Sequence, residues 1–62
     1  MCDLKAYLKK PDSEELLLEA VNFVSVVNGT VVMRNLFGEE ISVRGQVSEV
    51  SLVRSRVVVE QN

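Results

Sequence analysis

Apolar and polar residues alternate with a period of two along most of the chain. Over residues 2–9 every second residue is apolar and the residues between them are mainly charged, which predicts a strand with one buried face. Strand-like patterns of alternation or β-branched runs recur over residues 23–27, 30–36, 47–53 and 57–60. Ile41 and Val43 extend the apolar pattern around Gly45. The chain is therefore predicted to form a series of short strands.

Residues 14–21 are compatible with two structures. Asp12 or Ser13 could cap a helix, and the glutamates and leucines that follow are good helix formers. A helix here would be short, however, and it would run directly into the strand-like residues 23–27. We predict a strand, with a single helical turn as the alternative.

Turn signals separate the predicted strands and define the fold class. Pro11 marks a turn, and Asn28 and Gly29 both tolerate the positive φ of a type I′ hairpin turn. Further turns are predicted at residues 37–40 and 54–56. Thirteen valines with closely spaced turns predict an all-β fold, a small SH3-like or Sm-like barrel or meander of about six or seven short strands. Residues 1–62 would form one small domain.

Composition excludes several classes of function. The sequence contains no histidine, which removes Ser-His-Asp and Cys-His catalysis and every histidine metal site, so we expect no enzyme. The net charge of −2 makes nucleic acid an unfavourable partner. A single cysteine fits a reducing compartment, and no signal peptide or membrane span is recognised, which predicts a cytoplasmic protein. A domain of 62 residues is marginally stable alone, which favours a dimer.

Cys2 is the residue with the most distinctive chemistry. If Met1 is removed, Cys2 presents an α-amine beside its thiol, and the two donors close a five-membered ring around a metal ion. Thiolate and nitrogen ligands in a square plane suit Ni(II) or Cu(II). Since one chain supplies two donors, a second copy related by a two-fold axis would complete an N₂S₂ site. Two other interpretations stay open: a small packed hydrophobe, and an intermolecular disulfide.

Three short segments resemble one known family. Met1-Cys2 at the start, Leu36-Phe37-Gly38-Glu39-Glu40 in the middle and the valine-rich ending at residues 57–62 resemble the CooT family. These are small nickel-binding proteins associated with the maturation of carbon monoxide dehydrogenase. The resemblance implies an all-β homodimer that binds Ni(II) through the cysteine after the initiator methionine, which corresponds to Cys2. The segment 36–40 is expected to shape a turn and a core contact and has no predicted site role.

Two functional hypotheses follow. The first is a homodimeric nickel metallochaperone or nickel store, with Cys2 of both chains as the metal ligand and a nickel enzyme as recipient. Its nitrogen ligand is the amine if Met1 is removed, or the deprotonated Cys2 amide if Met1 is retained. The alternative is a small β-barrel module that contacts RNA or protein without metal, for which Tyr7 between Lys5 and Lys9 is the one indication of a stacking surface.

Overall fold

A computed structural model of the protein describes residues 4–61, and the regular structure among them consists of six strands. The strands are β1 Lys5–Lys9, β2 Glu14–Leu18, β3 Val21–Val27, β4 Thr30–Asn35, β5 Glu40–Ser51 and β6 Arg56–Gln61. They form one sheet in the order β2-β1-β6-β5-β4-β3. The predicted all-β fold is confirmed. Among residues 14–21, β2 and the start of β3 replace the helical alternative.

The sheet curls on itself. Its two edge strands, β2 and β3, are consecutive in sequence and joined only by Glu19 and Ala20. Ala20 has a φ of 57°, which allows the sharp change of direction between the two strands. The Val21 amide then donates a 2.8 Å hydrogen bond to the Leu4 carbonyl, just before β1. The start of β3 is thereby held against the start of β1, and the sheet becomes a small barrel-like structure.

Local turn chemistry is confirmed in the hairpin between β3 and β4. Asn28 and Gly29 have φ values of 50° and 74°, as a type I′ turn requires.

The first and last strands pair with each other in parallel. In this pair, Ala6 of β1 lies opposite Val57 of β6. Every other strand pair in the described sheet is antiparallel.

The predicted strand at residues 47–53 is wrong at both ends. One twelve-residue strand, β5, runs through Gly45, pairs with β4 over its first part and with β6 over its second, and ends at Ser51. Gly45 makes this continuity feasible, because a Cβ there would lie 2.0 Å from the Glu60 carbonyl oxygen. Leu52 and Val53 lie in the following turn and are 80% and 97% exposed. Their β-propensity is overridden by the chain reversal into β6.

The core lies inside the curled sheet. Its buried members come from five of the six strands: Ala6, Leu18, Val21, Val31, Met33, Val57 and Val59. In β4 the alternation is regular, so that Val31, Met33 and Asn35 all point inward. Asn35, at the end of that strand, is the one buried polar residue among those described.

Candidate metal centre and neighbouring surfaces

Cys2, the predicted metal ligand, lies outside the described residues, and the description begins at Leu4. The position of Leu4 is well defined by its neighbours. The Lys5 amide donates to the Ser55 carbonyl at 3.0 Å, and the Leu4 carbonyl accepts from Val21 at 2.8 Å. We call this region, where Leu4 lies between Ser55 and Val21, the N-terminal corner.

Two apolar turns lie near the N-terminal corner. Turn 52–55 leads directly to Ser55, the partner of Lys5. Loop 35–39 is linked to the same corner because the Leu36 amide donates to the Ala20 carbonyl at 3.0 Å, next to Val21. These successive backbone bonds connect the two turns through the N-terminal corner.

Loop 35–39 is organised by the side chain of Asn35. Its Oδ1 accepts hydrogen bonds from the amides of Phe37 at 3.0 Å and Glu39 at 2.8 Å, and its Nδ2 donates to Glu39 Oε1 at 2.7 Å. The Asn35 amide also donates to the Glu39 carbonyl at 3.0 Å, and Gly38 adopts a φ of 85°. The inward alternation of β4 therefore ends in a polar group that fixes the following loop.

Segment 36–40 makes the predicted turn, but the expected core contact is wrong. Leu36 is 56% exposed and Phe37 is 75% exposed. Because Asn35 occupies the inward position at the end of β4, the chain reverses before either apolar side chain can enter the core.

A groove lies between loop 35–39 and β2. Its volume is about 310 Å³, and its lining comprises Leu16, Leu17, Leu18, Glu19, Asn35, Phe37 and Glu39. Leucine and phenylalanine side chains supply its apolar walls, and the two glutamates supply negative charge. The sequence singled out segment 36–40 only as a turn, and a useful signal would have been the polar Asn35 at an inward strand position.

Within residues 4–61 no group of three or more Asp, Glu, Cys or His side chains is arranged to hold a metal ion. Three of the eight described carboxylates form ion pairs instead: Glu14 with Arg56, Glu15 with Lys10 and Glu40 with Arg34.

The aromatic residues of the sheet are already in contact with cations. Arg56 lies over the Tyr7 ring at 4.7 Å from its centroid, and Arg34 lies over the Phe23 ring at 4.9 Å. Base stacking needs an open aromatic face. The side chain of Arg56 covers one face of Tyr7 and binds Glu14, which weakens the single indication of an RNA surface.

The strand order and the parallel pairing of first and last strands define a small all-β barrel-like protein whose described residues include no helix that could span a membrane. The family model described as CO dehydrogenase accessory protein CooT matches residues 1–60, so the chain belongs to the CooT family. A crystal structure assigned to CooT from Carboxydothermus hydrogenoformans is similar, with a TM-score of 0.90, 26% identity and 98% of each chain covered. Comparison with curated proteins gave no match. The family is an accessory family and not an enzyme family, in agreement with the sequence prediction.

Proposed function

We propose that this CO dehydrogenase accessory protein binds Ni(II) as a homodimer, through Cys2 of both chains, and delivers or stores the ion for the nickel enzyme. The observation that carries the proposal is that Cys2 is the only cysteine of a chain without histidine. It is therefore the only residue that can offer a thiolate, the donor that suits Ni(II) in a mixed nitrogen and sulfur site. Membership of a CO dehydrogenase accessory family supports the choice of recipient.

The proposed site needs two chains, since one Cys2 supplies one sulfur and one nitrogen. Two residues of extended chain reach at most about 7 Å beyond Leu4, so Cys2 is tethered to the N-terminal corner. A second copy that covers this corner would bring two such tethers together about a two-fold axis. The exposed Leu52 and Val53 beside the corner support this arrangement, because their burial between copies would favour association.

Proton transfer would control uptake and release of the ion. The thiol must lose its proton to bind nickel, and so must the amine or amide nitrogen of Cys2, so binding of one ion by two chains releases protons. The affinity is therefore expected to rise with pH. A competing thiolate on the recipient would replace one of the four donors, and separation of the two copies would remove two of them, so either event would favour release of the ion. The proposed setting is the cytoplasm, where the thiol stays reduced.

A nickel titration of the tag-free protein tests the site. Thiolate-to-metal absorption is expected to saturate at one nickel ion per two chains, and Cys2→Ser should abolish this absorption. Ser48→Ala, a change of similar size at an exposed residue of β5, serves as the control and should titrate like the parent protein. Unchanged nickel affinity and stoichiometry in Cys2→Ser would show that the ligand assignment is wrong.

A further inference from the structure

We propose that loop 35–39 and the groove beside β2 form the surface on which this protein docks to its recipient CO dehydrogenase. The occupant would be a recipient segment that places an apolar side chain against Phe37 and a lysine or arginine beside Glu19 and Glu39. This inference rests on the proposed function for the identity of the recipient. It does not depend on which residue binds nickel.

Phe37 has the properties of a preorganised anchor. Its side chain is 75% exposed, yet its backbone amide is held by the Asn35 Oδ1 at 3.0 Å. The neighbouring Glu39 amide is held by the same oxygen. A loop that is already ordered loses little conformational entropy on binding, and aromatic side chains, phenylalanine among them, are enriched in the cores of protein interfaces. The buried side chain of Asn35 thus fixes a loop whose apolar ring stays in solvent. Folding of the chain alone does not require this arrangement.

The groove next to Phe37 defines the chemistry of the occupant. Leu16, 45% exposed, adds apolar surface on the β2 side. One carboxylate oxygen of Glu39 accepts the hydrogen bond from Asn35 Nδ2, and its second oxygen can accept from a ligand. Glu19 is exposed on the opposite side of the groove. An apolar side chain flanked by a cation satisfies both features.

A second copy of this chain fits the groove poorly. In a two-fold interface the same surface meets itself, so Glu19 and Glu39 of both copies would be brought close together. Like charges placed opposite each other disfavour such an interface. The groove is thus better suited to a partner with positive charge than to the homodimer contact proposed at the N-terminal corner.

The test is a binding titration of the metal-free CO dehydrogenase from the same organism with this protein. The Kd is measured by calorimetry or by surface plasmon resonance. Phe37→Ala is expected to weaken the Kd by about tenfold or more, as expected for an interface anchor. Glu19→Gln should weaken it by roughly threefold at low salt and reduce the salt dependence. Val27→Ala and Glu49→Gln are matched controls on exposed residues outside the groove, and both should bind like the parent.

Two further measurements separate this proposal from the nickel assignment. Phe37→Ala should keep the parent nickel stoichiometry, whereas Cys2→Ser should lose nickel absorption and still bind CO dehydrogenase with the parent Kd. The docking proposal is overturned if the parent protein fails to bind, or if Phe37→Ala binds as tightly as Val27→Ala. It is also overturned if Phe37→Ala converts a dimer to a monomer in sedimentation, since the groove would then be occupied by a second copy.

Discussion

Loop 35–39 and turn 52–55 both expose apolar side chains, but the two regions are fixed very differently. The first is held by the buried Asn35, which makes three side-chain hydrogen bonds. The second has one side-chain hydrogen bond among the described residues, from the Arg54 amide to Ser51 Oγ at 3.2 Å, and it is exposed. The comparison teaches that exposure alone says little about function. An exposed ring on a loop held by three side-chain hydrogen bonds suits recognition of a specific partner, whereas an apolar turn with one such bond suits burial against another copy.

The largest effect is expected from Asn35→Ala. This change removes three hydrogen bonds and leaves the Phe37 and Glu39 amides without their acceptor, so we expect a loss of about 3 kcal/mol in the free energy of unfolding. Urea denaturation measures it, with Asn22→Ala at an exposed position of β3 as the control. A loss no greater than that of the control would mean that Asn35 does not organise the loop.

Gly38→Ala should have a smaller effect on the same loop. The backbone there has a φ of 85°, where an L-residue is strained, although an added Cβ would meet no atom within 4 Å. We therefore expect the free energy of unfolding to fall by about 1 kcal/mol. The cause would be the strained backbone conformation and not a steric clash. Thermal unfolding measures the change. The converse substitution in the other turn, Ser55→Gly at a φ of 56°, should cause no loss of stability, because glycine adopts a positive φ without strain. Equal losses in both variants would contradict the comparison.

Ser51→Ala should cost less still. It removes the one side-chain hydrogen bond described for turn 52–55, and that bond is exposed to water. We therefore expect the free energy of unfolding to fall by about 0.5 kcal/mol. Chemical denaturation of Ser51→Ala and Asn35→Ala under the same conditions gives the ratio of their losses in the free energy of unfolding. A loss as large as that of Asn35→Ala would show that both turns are fixed with similar strength.

The smallest effect on stability is expected from Val53→Ser. Its side chain is 97% exposed, so the free energy of unfolding of the isolated chain should change by less than about 0.5 kcal/mol. Association is a different measurement. If a second copy covers turn 52–55, Val53→Ser should shift the sedimentation equilibrium toward monomer and lower the nickel affinity, with Val27→Ala as the control. Unchanged association would place the homodimer contact elsewhere.

Local interactions explain what the sequence predicted well. The hairpin at Asn28 and Gly29 could be predicted because both turn residues and both flanking strands lie within a few positions of one another in the sequence. Strand rather than helix over residues 14–18 followed from the β-branched residues that come after them. These predictions depend on short-range sequence patterns, which a single chain displays directly.

Non-local interactions explain what the sequence could not predict. The parallel pairing of β1 with β6 joins residues from opposite ends of the chain, and no local pattern encodes it. Leu52 and Phe37 look like core residues by type, but chain reversals at the ends of β5 and β4 leave them in solvent. The assignment of Cys2 stays a prediction, since it lies outside the described residues and rests on ligand chemistry.

The parallel pairing of β1 with β6 also constrains how the protein folds. Bringing Lys5 beside Arg56 closes a loop of about 50 residues, at an entropic cost on the order of 3 kcal/mol. The β3–β4–β5 hairpins can form before this step, because their contacts are between neighbouring segments. Ring closure by the last strand is therefore the slow event that we expect to limit the folding rate. A newly synthesised chain would complete its core only after β6 has emerged.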